Sequence, residues 1–319
     1  MQIRSFNLWL PVAVAALTSG GAPAQPYPSR PVRIVTSEAG GSADFGARII
    51  AQGLTSGLGQ AVITENRPSG VTPADTVIKA SPDGHTLLLY SNGLWTLPLI
   101  QSVPYDPLKD LAPITTTTTA PNVLVVHPSV AANTVRQLIE LARAKPGALN
   151  YASTSAGAAN HLAGELFKSM AGVNIVRIPY KGTGHLLNAI LAGEVQLTFT
   201  SGGSIAPHLK TGKLRGLAVA SARPSDLVPG LPTIADSGLP GYESMVITGI
   251  FAPAKTPAAI ISRLNREIVQ FLSVPDIRER LLRSGVETVG SSPAELAATI
   301  KSEISRMGKV IKEAGIRAD

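Results

Sequence analysis

From Pro31 onward, short runs of β-branched and apolar residues alternate with longer amphipathic segments. This alternation is typical of βαβ units and predicts an α/β fold with mostly parallel strands. In the first amphipathic segment, Phe45, Ile49 and Leu54 fall on one helical face. Strands are predicted over residues 32–35, 61–64, 86–90, 151–153, 175–178, 197–200 and 214–219, and helices over 42–58 and 134–144 and near 160–170 and 183–192.

Residues 115–126 differ from the other strands in their length. Threonines fill positions 115–119, and an apolar run follows at 123–126. Because threonine is β-branched, we predict one long strand that crosses from one lobe of the molecule to another. Residues 247–251 are predicted to form a return strand, and the chain after Pro253 is predicted to be helical to its end. Two apolar stripes with charged opposite faces indicate helices that pack on a domain: Ile260, Ile261, Leu264, Ile268, Phe271 and Leu272, then Leu296, Ile300, Ile304, Met307 and Ile311.

The first residues are typical of a secretory signal peptide. Arg4 precedes a short apolar core, and small residues at 22–24 have the spacing that signal peptidase recognises. We predict cleavage after Ala24. The alternative is a single membrane anchor, but Pro11 interrupts the apolar stretch, which is shorter than the roughly 20 residues of a membrane span. The chain has no cysteine, so it is not expected to be a lipoprotein or to form disulfides.

Charge and composition exclude several kinds of partner. The formal net charge is +7 over 319 residues, and Arg4 is the only charged residue that is lost when residues 1–24 are removed. The basic residues are scattered and are not interleaved with aromatics, so no nucleic-acid partner is predicted. Beyond residue 24 no apolar segment approaches the length of a membrane span, so no direct membrane insertion is expected. Any transport role requires separate membrane partners.

A strand that ends in paired glycines and opens a helix is the first candidate site. Gly40 and Gly41 let main-chain amides point into open space, and the following helix start adds unpaired N–H groups and a positive dipole end. Such a turn binds a carboxylate or phosphate without Arg or Lys. The alternative is an ordinary tight turn in which Ser42 or Asp44 caps the helix.

A second turn of this kind spans residues 151–161, where a strand, a turn of small residues and a helix follow one another. Two such turns in two lobes predict a ligand with polar groups at both ends. The alternative, two ordinary strand-to-helix turns, stays open.

Enzyme signatures are absent from the sequence. It contains no G-x-S-x-G elbow and no P-loop, and without cysteine it has no thiol nucleophile. The five histidines never pair at the spacing of a zinc site. We therefore predict no catalytic residue, no metal and no cofactor, and of the histidines His161 is the one placed to touch a ligand.

Several short motifs together identify a family. In this order and spacing, the chain resembles the Bug-type periplasmic solute-binding proteins of tripartite tricarboxylate transporters over essentially its whole mature length. The motifs are Tyr27-Pro28-Ser29-Arg30-Pro31, Gly40-Gly41 with Asp44, Glu65-Asn66-Arg67-Pro68, Ser81-Pro82-Asp83-Gly84-His85, Pro104-Tyr105-Asp106-Pro107, Pro121-Asn122, His161-Leu162-Ala163-Gly164-Glu165, Pro179-Tyr180-Lys181-Gly182, Leu231-Pro232-Thr233 and Gly238-Leu239-Pro240-Gly241-Tyr242.

The resemblance implies a monomeric clamshell of the type II-like periplasmic binding protein class. Each lobe is then a mostly parallel sheet flanked by helices, and crossing hinge strands join the lobes. Residues 1–24 are the signal peptide, residues 25–121 with 247–319 form lobe 1, and residues 122–246 form lobe 2. The implied function is capture of a small carboxylate for a membrane transporter, without catalysis. The implied ligand-facing residues are Ser37, Glu38, Gly40, Gly41, Ser91 and Asn92 from lobe 1, and Thr154, Ser155, Gly157, His161, Tyr180 and Thr200 from lobe 2.

The chain departs from the family pattern at the first turn. Ser37 replaces an aromatic residue, and Glu38 adds a carboxylate beside the expected anion site. Because like charges repel, Glu38 either points away or meets a cationic or amide part of the ligand. Two other functions stay open at this point: an orphan or sensory protein that binds a small acid or amide, and an extracytoplasmic hydrolase with His161 or His185 as base.

Overall fold

The computed structural model describes residues 27–37, 39, 42–68, 70–154 and 156–317. The predicted signal peptide, residues 1–24, therefore lies outside the described residues. The strands are β1 (Val32–Thr36), β2 (Val62–Asn66), β3 (Thr86–Ser91), β4 (Leu111–Val126), β5 (Asn150–Ser153), β6 (Val176–Pro179), β7 (Leu197–Ser201), β8 (Arg215–Val219), β9 (Met245–Pro253) and β10 (Glu287–Thr288). The helices are α1 (Ser42–Leu58), α2 (Thr72–Ile78), α3 (Gly93–Thr96), α4 (Val135–Ala144), α5 (Ala159–Ala171), α6 (Thr183–Leu191), α7 (Gly202–Lys210), α8 (Ala258–Leu272), α9 (Pro275–Arg283) and α10 (Pro293–Glu313), with a 3-10 helix at Leu97–Leu99.

The strands form one continuous sheet in the order β2-β1-β3-β9-β4-β7-β5-β6, and β8 and β10 also pair with β4. Strands β1, β2 and β3 are parallel to one another, and so are β5, β6 and β7. Among the described strands, every antiparallel pairing includes β4 or β9. Two parallel groups are thus joined through two long antiparallel strands.

Strand β4 links the two groups because it changes partners along its length. Its residues from Leu111 to Pro121 pair with β9, whereas those from Asn122 to Val126 pair with β7 and β8. The threonine run lies inside the sheet, where Thr117 Oγ1 donates to the Thr248 carbonyl at 3.1 Å. The prediction of one long crossing strand is confirmed.

Other elements differ from the prediction in ways that affect the site. Helix α4 begins one residue later than predicted, because Thr134 is the cap whose hydroxyl accepts a hydrogen bond from the Gln137 amide at 3.2 Å. Helix α7 was not predicted, and the chain after Pro253 is not helical throughout. Strand β10 interrupts it, because Gly285 has a φ of +87° and turns the chain back toward β4.

Apolar residues of the helices fill both faces of each parallel group. One pair of core clusters surrounds β1, β3 and β9, and the other surrounds β5, β7 and β8. Helix α10 contributes to both pairs of core clusters, since Leu296 and Ile300 pack beside β9 whereas Met307 and Ile311 pack beside β7. Full burial of one such side chain stabilises the fold by about 1.5–3 kcal/mol. The predicted lobe boundaries stay a prediction. Within the described residues, no helix combines the length and apolarity that crossing a bilayer requires.

Candidate ligand-binding site

A cavity of about 520 Å³ lies where the two groups of strands meet. Its walls come from β4 and β9, from the turns after β5, β6 and β7, and from the turn between α9 and β10. The lining residues are Thr118, Thr119, Ala120, Asn122, Thr154, Ala158, Ala159, Asn160, Thr183, Thr200, Ser201, Gly203, Ser204, Val246, Thr248, Ser284, Gly285 and Val286.

Helices α5, α6 and α7 all begin at this cavity. The first residues of each line it, because the carboxyl ends of parallel strands meet at one edge of a sheet and the helices start there. The residues that precede them, Ala158, Gly182 and Ser201, make no side-chain cap bond among the described residues. No N-cap side chain therefore occupies the first-turn N–H groups of these helices, and each helix start adds a partial positive charge.

The start of α5 presents an amide side chain in a fixed orientation. Asn160 Oδ1 accepts hydrogen bonds from the Thr154 amide at 3.2 Å and from Thr154 Oγ1 at 3.0 Å. Arg177 supports the same turn by donating to the Thr154 carbonyl at 2.9 Å. With its oxygen engaged, the Asn160 side chain has its Nδ2 group left to donate, and that group has no partner among the described residues.

Hydroxyl groups surround the start of α7. Thr200 is 4% exposed and lines the cavity, and its hydroxyl has no hydrogen-bond partner in the part of the chain that the structure describes. Ser201 Oγ and Ser204 Oγ lie 2.8 Å apart and bond to each other. The opposite wall carries more hydroxyls from Thr118, Thr119 and Thr248 of the crossing strands.

The described lining residues include no Asp, Glu, Lys, Arg or His. The described lining therefore offers an anion main-chain N–H groups, hydroxyls, amides and helix dipoles, and no charged side chain. In low-dielectric surroundings such charge-assisted hydrogen bonds are roughly twice as strong as neutral ones. No group of three or more His, Asp or Glu side chains suited to a metal occurs among the described residues.

The first predicted turn is only partly described. Glu38, Gly40 and Gly41 lie outside the described residues, as does Ser155 of the second turn. The Ser37 carbonyl accepts a hydrogen bond of 2.7 Å from Asn66 Nδ2, which also donates to Asp44 Oδ1 at 2.9 Å. Asp44 and Asn66, two residues of the family motifs, thus hold the end of β1 against the start of α1.

Ser91 and Asn92 lie near the cavity but do not line it. Ser91 pairs with the lining residue Thr248 across β3 and β9. The Asn92 side chain is buried and donates to the Met245 carbonyl at 3.1 Å. The main-chain carbonyl of Asn92 accepts hydrogen bonds from the main-chain amides of Trp95 and Thr96 in α3. Asn92 therefore holds α3 against β9, and its contact with a ligand stays a prediction that this cavity does not support.

Three of the residues predicted to face the ligand from lobe 2 make contacts within the protein. The Gly157 amide donates to His161 Nδ1 at 3.0 Å, so this N–H is engaged within the protein, and the ligand contact of Gly157 stays a prediction. His161 is 4% exposed and braces the turn. Tyr180 packs against the apolar core beneath α6, and its partial burial raises the pKa of its phenol. Of the predicted residues, Thr154 and Thr200 line the cavity.

The prediction missed Asn160, Thr183, Ser201 and Ser204 as lining residues. A signal for two of them was present, because Ser201-Gly202-Gly203-Ser204 repeats the arrangement of strand, paired glycines and helix start seen at Gly40-Gly41. The threonines of β4 carried no such signal, since a strand does not show from sequence which of its residues face a cavity.

Solved structures with a similar fold include the periplasmic binding protein BugD, which is 30% identical and has a TM-score of 0.75 over 92% of this chain and 100% of its own. Rpa4515 of R. palustris with adipate is 35% identical, has a TM-score of 0.78 and is matched over 91% of this chain and 99% of its own. MatC from Rhodopseudomonas palustris with bound malate is 29% identical, with a TM-score of 0.75 over 89% of this chain and 100% of its own. The fold is thus that of a periplasmic solute-binding protein, and the predicted fold class is confirmed.

The sequence places the chain in one family of such proteins. The family model described as "Tripartite tricarboxylate transporter family receptor" matches residues 46–316. BugT of Bordetella pertussis is 35% identical over 300 residues, which is 92% of each chain. The chain belongs to the tripartite tricarboxylate transporter receptor family. The predicted resemblance to Bug-type proteins is confirmed, and so is the prediction of a binding receptor instead of an enzyme.

Proposed function

We propose that this chain captures a small dicarboxylate between two lobes in the periplasm and presents it to the membrane subunits of a transporter. In this proposal residues 1–24 are removed as a signal peptide without lipid attachment, and the mature monomer binds the acid without altering it. Lobe 1 comprises residues 25–121 and 247–319, and lobe 2 comprises residues 122–246.

The cavity at the starts of α5, α6 and α7 carries the proposal. Transfer of a carboxylate out of water is costly unless the ion is hydrogen-bonded on entry. Uncapped first-turn N–H groups provide those bonds, and the dipoles of the helices favour a negative charge at the same place. A cavity without ionisable side chains among its described lining residues would otherwise offer no charge compensation to an anion.

The ligands of related proteins narrow the chemical class. Rpa4515 is described with adipate and MatC with malate, and both are linear dicarboxylates. At about 520 Å³ the cavity has room for an acid of this size together with water. We assign one carboxylate of the ligand to the lobe 2 wall, where Thr154, Asn160 and Thr200 lie, and the other to the lobe 1 turn at Ser37, Gly40 and Gly41.

Ligand capture in this scheme is a population shift. The acid binds one wall, the lobes rotate about β4 and β9, and the second wall completes the hydrogen bonds around the ligand. Only the closed form then presents both lobes together to the membrane partner.

A thermal-shift and calorimetric screen tests the function. Residues 25–319 are titrated with adipate, malate and other small dicarboxylates, with adipamide as the matched neutral control. A ligand at 100 times its Kd stabilises the folded state by about 2.7 kcal/mol, so we expect a clear rise in Tm with a dicarboxylate and none with adipamide. Equal responses to the acid and the diamide, or none to any acid, contradict the proposal.

A further inference from the structure

Two glycines meet backbone to backbone on one side of the cavity. A Cβ atom added to Gly203 would lie 2.6 Å from the Gly285 Cα, and one added to Gly285 would lie 2.7 Å from the Gly203 Cα. Gly203 belongs to the first turn of α7, whereas Gly285 follows α9. Since real Cβ contacts are essentially never shorter than 3.0 Å, neither position accepts a side chain while this contact exists.

The orientation of the two helices favours the contact. Helix α7 approaches with its N-terminal end and helix α9 with its C-terminal end. These ends carry opposite partial charges, so their proximity is attractive.

A hydrogen bond also joins the loop after β8 to strand β10, which follows Gly285. Ser225 Oγ donates to Glu287 Oε1 at 2.5 Å, and it also accepts from the Leu227 amide at 3.2 Å. Ser225 is 4% exposed, and Glu287 lies on β10 beside Thr119 of the crossing strand. Neither residue is among the lining residues of the cavity.

We propose that the Gly203–Gly285 contact and the Ser225–Glu287 hydrogen bond form a latch that holds the two halves of the cavity together and sets the residence time of the ligand. The effect on the ligand rests on the proposed function. Ser225 and Glu287 act as positioning residues, since they stabilise the closed form without touching the ligand. Loss of the latch raises the dissociation rate and leaves the association rate nearly unchanged, because it destabilises only the closed form.

The chain has no cysteine, so closure is measurable with two introduced labels. Ser56→Cys on α1 and Glu140→Cys on α4 place spin labels at exposed positions on two helices that pack in different core clusters. Distance distributions are recorded without and with adipate, and adipate dissociation is followed by stopped flow. The latch variants are Gly203→Ala and Glu287→Ala.

Two matched variants serve as controls. Gly46→Ala makes the same substitution in α1, where nothing lies within 4 Å of the added Cβ. Glu287→Gln keeps an oxygen that accepts from the Ser225 hydroxyl, so it should rescue the loss seen in Glu287→Ala. Circular dichroism and Tm establish that every variant is folded.

We expect the adipate dissociation rate to rise about tenfold in Gly203→Ala, since the clash keeps the cavity from closing fully, and about fivefold in Glu287→Ala. In both variants the label distance without ligand should shift to longer values, and both controls should resemble the parent. Parent-like distances and dissociation rates in both latch variants overturn the proposal. If the parent binds none of the acids, the proposed function fails, while the distances without ligand still decide whether the latch exists.

Discussion

Asn160 Oδ1 accepts hydrogen bonds from both the amide and the hydroxyl of Thr154, at 3.2 Å and 3.0 Å. This pair fixes the end of β5 to the start of α5 and determines which atom of the Asn160 side chain remains available to a ligand. The available atom is a donor, as a carboxylate ligand requires.

Replacement of the Asn160 Nδ2 donor by a carboxylate oxygen should abolish its contribution to ligand affinity with little change in the fold. In Asn160→Asp the carboxylate still accepts from Thr154, but it repels a carboxylate ligand. We expect the Kd for adipate to rise at least about tenfold, with Tm in the absence of ligand close to the parent value. Calorimetry gives the Kd.

Asn133→Asp is the charge-matched control. It makes the same change at an exposed position just before α4, outside the cavity lining. An equal loss of affinity in both variants would attribute the effect to net charge and not to the site.

Thr198 and Thr200 are alternate residues of β7 with different environments. Thr198 is fully buried and donates to the Ala152 carbonyl at 2.8 Å, whereas Thr200 lines the cavity. Thr198→Val should lower the free energy of unfolding by about 1 kcal/mol with little effect on Kd. Thr200→Val should weaken adipate binding about fivefold and leave stability nearly unchanged. Denaturant titration and calorimetry separate the two effects, and a reversed pattern contradicts the assignment of Thr200 to the site.

Gly46 and Gly53 test the packing of α1. A Cβ at Gly46 has no neighbour within 4 Å, whereas a Cβ at Gly53 would lie 2.4 Å from the ring of Phe271 on α8. Gly46→Ala should stabilise the protein by up to about 1 kcal/mol through helix propensity. Gly53→Ala should destabilise it by about 1–3 kcal/mol because the ring has to shift. Urea unfolding of the two variants is the measurement, and equal effects would refute the packing of α8 on α1.

Stability should also fall at alkaline pH. Burial raises the pKa of Tyr27, Tyr105, Tyr151 and Tyr242 above the ordinary tyrosine value of 10.0. Above pH 10 these phenols ionise in the unfolded chain but stay protonated in the folded one, so the folded state binds more protons. The stabilisation they provide is complete below pH 10 and is lost as the pH rises toward the folded-state pKa values.

Urea unfolding between pH 9 and 11 measures this loss. Tyr105→Phe removes one of the four groups and should make the decline shallower by up to about 1.4 kcal/mol per pH unit. A free energy of unfolding that does not change with pH across this range would contradict the burial of the four phenols.

The elements with a clear hydrophobic period were predictable from sequence. Helix α1 was predicted with the residues it has in the structure, because its apolar positions recur at helical spacing over 17 residues. Strand β4 was predictable because β-branched residues fill it. The short strand β10 was not, since it lasts for two residues and exists through its pairing with β4.

The site was less predictable than the fold. Helix starts at the edge of a parallel sheet follow from topology, and of the predicted residues Thr154 and Thr200 line the cavity there. Gly157 and His161 were predicted to face a ligand, but they bond to each other, and sequence does not show whether an amide finds its partner inside the protein. Ser284 and Gly285 reach the cavity only because β10 returns the chain to β4, a contact between segments far apart in sequence.

A crystal structure of residues 25–319 with adipate would show how the ligand is held. We expect one carboxylate at the starts of α5, α6 and α7, with its oxygens about 2.7–3.1 Å from main-chain N–H groups and from Asn160 Nδ2. We also expect no Lys, Arg or His side chain to contact that carboxylate. A ligand bound at another place, or a carboxylate held there by a cationic side chain, would refute binding by helix starts.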